Sequence, residues 1–136
     1  QFSCNKLNTI KKISTKEYPG YPTDLQAQVV ATLLKVGQKS KVTENIFENR
    51  FIHIPELRRF GANLKIKDKT VEINKVNDLY GAEVMATDIR ASFSLIIAAI
   101  ISKGTTVINR IYHLDRGYED FDLKLKKCGV NIKRKK

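Results

Sequence analysis

The sequence predicts a mixed α and β fold assembled from two copies of one supersecondary block. Thr23-Asp24 is followed by an apolar residue, a polar residue and an alanine, and Thr87-Asp88 opens the same pattern in the second half of the chain. Each copy stands before an apolar run with helical spacing. Later in each copy, "FGANLKI" (60–66) and "CGVNIKR" (128–134) match in position and pattern. These observations predict a repeat of roughly 65 residues that is used twice.

The first copy, about residues 12–77, is predicted to begin with a strand and then to alternate helix and strand. Thr23 with Gln26 three positions later is the pattern of a capping box, which starts a helix. Pro55 suits the first position of a short second helix, and Gly61 suits its end. The predicted elements are strand 12–18, helix 23–37, strand 41–47, helix 55–60 and a two-stranded hairpin over 63–73.

The second copy, about residues 79–136, is predicted to follow the same order. Thr87 is expected to cap its main helix, which runs to about Lys103 and stops at Gly104. Cys128 falls on the apolar stripe of a later helix and is expected to lie in the core. The predicted elements are strand 83–86, helix 87–103, strand 105–111, helix 118–128 and strand 130–134.

Composition is typical of a soluble globular protein, with 42% hydrophobic and 29% charged residues. The longest apolar stretch, Leu95 to Ile101, is far shorter than the roughly 20 residues that span a bilayer, and no secretory signal is visible. We therefore expect no membrane association and a cytoplasmic location. Cys4 and Cys128 lack metal-ligand spacing and are expected to be free thiols. Because the chain begins with Gln1, we expect it to be a piece of a longer protein.

The net charge of +11 raises the alternative of a basic module that binds nucleic acid. Apart from the run Lys133 to Lys136, the lysines are mostly spread singly and show no cluster with interleaved aromatic residues for base stacking. A lysine-rich solvated surface is the favoured interpretation, and nucleic acid is the disfavoured partner.

Three arginines stand beside carboxylates at the predicted edges of elements: Arg50, Arg90 and Arg116. Guanidinium groups grip carboxylate and phosphate with paired hydrogen bonds, so three of them together suit a small polyanion. The alternative is surface salt bridging with the neighbouring carboxylates Glu48, Asp88 and Asp115, which contributes little. From spacing alone the alternative is favoured.

Asp24 and Asp88 are each predicted in a first helical turn, where a carboxylate satisfies free N–H groups and the helix dipole. The functional alternative is a base or ligand held at a helix N-terminus, which spacing alone does not favour. His53 and His113 have no partner at metal-ligand spacing, so each is expected to be a hydrogen-bonding residue at a loop edge.

Four strings carry a family resemblance: "YPGYPTDLQAQ", "TENIFENRFIHIPELRRFGA", "GAEVMATDIRAS" and "GTTVINRIYHLDRGYEDFDLKLKKCGVNI". They closely resemble the bacterial UDP-N-acetylglucosamine 1-carboxyvinyltransferases, the enolpyruvyl transferases of peptidoglycan synthesis. The resemblance extends from about Tyr18 to Ile132. It implies an α+β fold of the α/β prism type, an inside-out α/β barrel of repeated βαβαββ units. About two units are present, as a partial C-terminal domain over residues 1–136.

The resemblance also implies an activity and its partners. The family transfers the enolpyruvyl group of phosphoenolpyruvate to the 3-hydroxyl of UDP-N-acetylglucosamine, without a metal or an organic cofactor. In the family an N-terminal domain adds a lysine, an arginine and usually a cysteine, and none of these has a counterpart here. The isolated chain is therefore expected to be inactive. Two alternatives stay open, a shikimate-pathway enolpyruvyl transferase and a non-catalytic basic binding fragment.

By the same resemblance, specific residues acquire roles. Asp24 matches the carboxylate that contacts the sugar hydroxyl and acts as a base, and Asp88 matches a second catalytic carboxylate. Ile46 occupies a backbone contact position for the nucleotide sugar. The substrate-binding arginines, which match those that hold the phosphoenolpyruvate carboxylate and phosphate, are Arg50, Arg90 and Arg116.

Overall fold

Two successive βαβ units make up the part of the chain that the computed structural model describes, residues 10–36 and 38–135. The first unit continues through a short helix into a hairpin, which completes the order β-α-β-α-β-β. Its elements are β1 (Lys12–Ser14), a 3₁₀ turn (Thr23–Leu25), α1 (Gln26–Val36), β2 (Lys39–Thr43), α2 (Ile54–Arg59), β3 (Asn63–Lys67) and β4 (Thr70–Asn74).

The second unit repeats the order strand, helix, strand and then ends in two short helices. Its elements are β5 (Glu83–Met85), α3 (Ile89–Ile101), β6 (Val107–Asn109), α4 (Tyr112–Asp115) and α5 (Phe121–Lys127). Within the described residues, no helix combines the length and apolarity needed to cross a membrane.

A four-stranded sheet belongs to the first unit and has the order β1-β2-β4-β3. β1 and β2 are parallel, whereas β4 runs antiparallel to both β2 and β3. In this register Val42 stands opposite Val71, and both side chains are fully buried. The alternation of buried and exposed residues therefore turns one face of the sheet towards the core. β5 and β6 form a separate parallel pair.

Helices α1 and α3 pack against each other and give the two units a common core. Val30 and Ala31 of α1 are fully buried, as is Ala98 of α3, and Leu95 is nearly so. Small side chains at such positions let two helices approach closely, while the leucine and valine side chains fill the space between them. This packing places the N-terminal ends of the two helices within reach of each other.

The segment after β6 packs on a second, smaller core formed by Ile96, Leu114 and Phe121. Arg134 lies over the Phe121 ring, 5.1 Å from its centroid, and donates hydrogen bonds to Asp115 and Asp122. These bonds lower the pKa of the Asp115 carboxyl. The end of the chain is thereby held beside α4 and α5.

Several predicted strands are shorter in the structure because the backbone leaves the extended conformation early. The strand predicted at 41–47 ends at Thr43, since the amides of residues 45–47 bind side-chain oxygens instead of a neighbouring strand. The strand predicted at 105–111 ends at Asn109, because Arg110 has a φ of 58°. Asp120, with a φ of 47°, likewise delays the helix predicted from Tyr118 until Phe121.

Two predictions for the end of the chain were wrong. Cys128 is exposed, because α5 stops at Lys127 and the apolar stripe stops with it. Residues 130–134 do not form a strand. Their counterpart in the first unit, β3, pairs with β4. Cys4 lies outside the described residues.

Candidate active site

The N-terminal ends of α1 and α3 meet at Asp24. Its Oδ1 lies 3.2 Å from Nη1 of Arg90 and 3.7 Å from Nη1 of Arg50. The Asp24 side chain is 72% exposed, whereas those of Arg50 and Arg90 are 21% and 36% exposed. A solvent-accessible carboxylate thus stands between two guanidinium groups, one from each unit. The predicted pairings of Arg50 with Glu48 and of Arg90 with Asp88 were wrong.

Asp24 lies on the 3₁₀ turn that precedes α1, directly after Pro22 and Thr23. The predicted capping box is absent, because the Thr23 hydroxyl oxygen accepts no backbone N–H among the described residues, and the hydroxyl donates to Glu44 Oε2 at 2.8 Å. Gln26 is buried, and its amide nitrogen has no partner among the described residues. Asp24 is therefore positioned by contacts outside its own helix.

The loop after β2 carries Ile46, Phe47 and Arg50. The amides of Ile46 and Phe47 donate to Glu44 Oε1 at 2.9 and 3.2 Å. The Arg50 guanidinium carbon sits 4.3 Å from the centroid of the Phe47 ring, a cation–π contact that holds the arginine at the loop edge. Asn49 has a φ of 55°, so the chain turns sharply just before Arg50.

Glu44 is a residue of this site that the sequence interpretation missed. Its side chain is 1% exposed and accepts four hydrogen bonds. The available signal was its place in the predicted strand, on the same face as Val42 and Ile46. A carboxylate among apolar residues on one strand face requires several donors, which a loop supplies more readily than a sheet.

Asp88 is the N-cap of α3. The prediction that Thr87 caps this helix was wrong by one residue. Its Oδ1 accepts from the backbone N–H groups of Arg90 and Ala91, both at 2.8 Å. The Ser92 hydroxyl donates to the Asp88 carbonyl oxygen. The capping interpretation of Asp88 is confirmed. Its Oδ2 accepts no hydrogen bond from the residues that the structure describes.

Arg116 follows α4 and is exposed. Its predicted partner, Asp115, binds Arg134 at 2.5 and 3.1 Å. In residues 10–36 and 38–135 no hydrogen bond or ion pair engages the Arg116 side chain. Gly117 packs so closely on Ile89 that a Cβ at this position would overlap the isoleucine side chain. This contact places the Arg116 segment beside the start of α3, although no direct contact joins Arg116 to Arg50 or Arg90.

His53 fits the prediction of a hydrogen-bonding residue at a loop edge, because it is the N-cap of α2 and makes a hydrogen bond with the Arg50 backbone, whereas His113 lies within α4. His53 is buried, and its Nε2 has no partner among the described residues. Burial lowers the pKa of the His53 imidazole to about 4. The charge of Asp88 and a hydrogen bond with the Arg50 backbone act in the opposite direction and raise this pKa, but by less. The Nε2 of His113 is also without a partner there. In the described part of the chain, no three His, Cys, Asp or Glu side chains cluster as metal ligands.

The site contains two guanidinium groups that can bind an anion and a carboxylate that can accept a proton. Arg50 and Arg90 are partly exposed and share one weakly buried partner, so an anion with several oxygens can compete with Asp24 for them. Asp24 is accessible to a hydroxyl group of a bound molecule. The site therefore suits a reaction in which an anionic substrate and an alcohol are brought together.

Curated proteins much longer than this chain are similar to it over most of the chain's length. It is 53% identical over 122 residues to UDP-N-acetylglucosamine 1-carboxyvinyltransferase 2 of Mesorhizobium japonicum and 56% identical over 122 residues to UDP-N-acetylglucosamine 1-carboxyvinyltransferase of Pelagibacter ubique. Each match covers 90% of this chain and 29% of the relative. The chain thus spans less than a third of the length of these relatives. The resemblance stated from the motifs is confirmed.

A solved structure shows the same fold. The enolpyruvyl transferase NikO from Streptomyces tendae matches with a TM-score of 0.85 and 26% identity, over 96% of this chain and 30% of that one. The predicted enolpyruvyl transferase-like α+β fold is therefore confirmed. A family model described as EPSP synthase (3-phosphoshikimate 1-carboxyvinyltransferase) matches residues 5–125. Because this match covers most of the length of the chain, the chain belongs to the EPSP synthase family.

Proposed function

We propose that this chain is part of an enzyme that transfers the enolpyruvyl group of phosphoenolpyruvate to the 3-hydroxyl of UDP-N-acetylglucosamine and releases phosphate, the first committed step of peptidoglycan synthesis. The observation that carries the proposal is the position of Asp24 between Arg50 and Arg90. The names of the relatives that are more than half identical to the chain give the substrate. An exposed carboxylate beside two guanidinium groups supplies what a hydroxyl acceptor and an anionic donor both require.

In this proposal, the arginines bind phosphoenolpyruvate. Arg50 and Arg90 stand close enough to share one carboxylate oxygen, so they can bind neighbouring oxygens of the same anion. Arg116, which no described residue engages, contributes a third guanidinium from the segment packed on the start of α3. Fixed positive charge of this kind stabilises negative charge that grows on a departing phosphate.

The reaction proceeds by addition and then elimination. The methylene carbon of phosphoenolpyruvate takes a proton from a general acid of the complete enzyme, and the conjugate base of that acid takes a proton back from the methyl group in the second step. The sugar oxygen forms a bond to the adjacent carbon while its own proton moves to Asp24. In the second step the bond from that carbon to the phosphate oxygen breaks. The methyl group then loses a proton, which restores the double bond, and the Asp24 proton is returned to solvent or phosphate. No oxidant or reductant is consumed.

Asp88 and Ile46 complete the proposed set. Asp88 is the second carboxylate for proton transfer, through Oδ2, because its Oδ1 is occupied by the N–H groups of α3. Ile46 contacts the nucleotide sugar through its backbone. Its carbonyl oxygen accepts no hydrogen bond from the described residues, so it is available to a ligand.

The proposal assigns this chain to a C-terminal enolpyruvyl transferase domain, with units at about residues 12–77 and 79–136. The remaining groups around phosphoenolpyruvate come from the rest of the same polypeptide. The proposed location is the cytoplasm, where the exposed thiol of Cys128 would stay reduced.

A shikimate 3-phosphate transferase is the second candidate, because the matching family model carries that activity in its description. It uses the same donor and differs in the alcohol. The two candidates are separated by the acceptor that the enzyme consumes.

The test uses the complete enzyme, in which this chain is joined to the rest of its polypeptide. Phosphate release from phosphoenolpyruvate is measured with each acceptor in parallel. We expect turnover with UDP-N-acetylglucosamine and none above background with shikimate 3-phosphate. The isolated chain should be inactive, because loss of a single charge-stabilising donor typically costs about 10²–10³ in rate. Turnover with shikimate 3-phosphate alone, or full activity of the isolated chain, would contradict the proposal.

A further inference from the structure

A single buried carboxylate, Glu44, joins the segments that carry the candidate catalytic and binding residues. Its Oε1 accepts from Thr15 Oγ1 at 2.8 Å and from the backbone amides of Ile46 and Phe47 at 2.9 and 3.2 Å. Its Oε2 accepts from Thr23 Oγ1 at 2.8 Å. One side chain therefore contacts the residue that follows β1, the 3₁₀ turn and the loop after β2.

Two of these three segments, the 3₁₀ turn and the loop after β2, carry site residues. Thr23 is covalently adjacent to Asp24, so the bond to Oε2 sets the turn that carries the proposed base. The bonds from the Ile46 and Phe47 amides shape the loop whose aromatic ring supports the Arg50 guanidinium. The distance between Asp24 and that loop thus depends on the two oxygens of Glu44.

The network is also anchored to the sheet. The Thr15 hydroxyl, which is fully buried, donates to Glu44 and accepts from the Asn45 amide at 2.9 Å. Asn45 donates through its side chain to Ser14 Oγ at 2.6 Å and to the Thr15 carbonyl oxygen at 3.2 Å. The loop cannot shift relative to β1 without breaking several of these bonds.

The chemistry of the network requires an ionised carboxylate. Burial alone would raise the pKa of the Glu44 carboxyl, but the hydrogen bonds from the two amides and the two threonine hydroxyls hold it below the usual value. Hydrogen bonds to a charged acceptor are shorter and roughly twice as strong as those between neutral groups. A carboxylate is thus able to fix four donors at once, whereas a neutral amide offers only one acceptor oxygen.

We propose that Glu44 is a positioning residue for the reaction, one that sets the Asp24 turn and the Ile46–Phe47 loop in a fixed relation to each other. This inference rests on the proposed function. Glu44 acts through Thr23 on the catalytic carboxylate and does not itself touch substrate. A small misplacement of a reacting group lowers the rate by as much as about 10², so we expect loss of the Glu44 contacts to lower kcat.

The experiment removes the hydrogen bond at Thr23, which is half-buried, whereas Glu44 is 1% exposed. In the complete enzyme, Thr23→Val removes the hydroxyl, and Thr23→Ser retains it. We expect Thr23→Val to lower kcat by at least about tenfold with the KM for phosphoenolpyruvate within about twofold, and Thr23→Ser to restore kcat. Thr70→Val is the matched control, because Thr70 shares a 2.8 Å hydroxyl pair with Thr43 on the sheet. It should leave kcat unchanged.

A double-mutant cycle tests whether Thr23 acts through Glu44. Glu44→Gln should also lower kcat, and Thr23→Val/Glu44→Gln should be no slower than the slower single variant, because both changes break one network. Multiplicative losses would show that the two residues act independently and would overturn the inference. So would a Thr23→Val enzyme with wild-type kcat, or one whose only change is a lower Tm.

Failure of this inference differs from failure of the proposed function. If the unmodified enzyme shows no turnover with UDP-N-acetylglucosamine, the proposed function is wrong, and the role of Glu44 in that reaction falls with it. If the unmodified enzyme turns over and Thr23→Val matches it, only the inference about Glu44 is wrong.

Discussion

Replacing Asp24 with asparagine separates its contribution to catalysis from its contribution to stability. The change keeps the size of the side chain and removes the charge between Arg50 and Arg90. Because Asp24 is 72% exposed, each ion pair contributes at most about 1 kcal/mol, and the fold should lose no more than about 2 kcal/mol. The loss of a general base, in contrast, lowers kcat by about 10²–10⁴. The two contributions therefore predict effects of very different size.

The assay measures kcat and the thermal midpoint of the complete enzyme side by side. Asp78→Asn is the matched control, since Asp78 is also partly exposed and pairs with Lys103 at 2.7 Å. We expect the control to keep its kcat and Asp24→Asn to lose at least about 10² with a midpoint shifted by a few degrees. A stable Asp24→Asn enzyme with a near wild-type kcat would refute the assignment of Asp24 as the base and leave it as an ion-pair partner.

Two further predictions concern charge at the same site. Arg90→Lys should lower kcat/KM for phosphoenolpyruvate by at least about tenfold, because lysine keeps the charge but lacks the planar fork; an unchanged value would limit Arg90 to its ion pair with Asp24. Burial lowers the pKa of His53 to about 4, so between about pH 6.5 and 4 the unfolded chain binds a proton that the folded chain does not. The free energy of unfolding should therefore be highest above about pH 6.5 and fall by up to about 3 kcal/mol as the pH drops towards 4. Urea unfolding of the chain should show that His53→Phe removes this loss and that the control His113→Phe retains it; equal slopes in both variants would contradict the burial of His53.

The repeat was predictable from the sequence because it depends on local patterns. Apolar residues at helical spacing before Gly104 predict α3, and the alternation on both sides of Asp68 predicts β3 and β4. In both places the tertiary structure keeps the element that the local pattern favours. The ends of several strands and the start of α5 were not predictable. They depend on the φ angles of Arg110 and Asp120 and on amides captured by a side chain, none of which periodicity encodes.

The candidate site was predictable only in part. The motifs identified Asp24, Arg50 and Arg90, but the spacing favoured pairs between sequence neighbours. The observed Asp24–Arg90 pair crosses from one unit to the other and depends on the packing of α1 against α3, and the Asp24–Arg50 pair joins two separate segments of the first unit. Glu44 was missed because its partners lie 2, 3, 21 and 29 residues away along the chain, so only the folded chain brings them together.

The capture of the sugar hydroxyl by Asp24 is tested most directly by a crystal structure of the complete enzyme with UDP-N-acetylglucosamine bound. The account predicts that the 3-hydroxyl oxygen lies within hydrogen-bond reach of the Asp24 carboxylate, about 2.6–3.2 Å, because a general base must contact the proton that it removes. A sugar whose 3-hydroxyl is held by another side chain, with Asp24 still paired to Arg50 and Arg90, would contradict it.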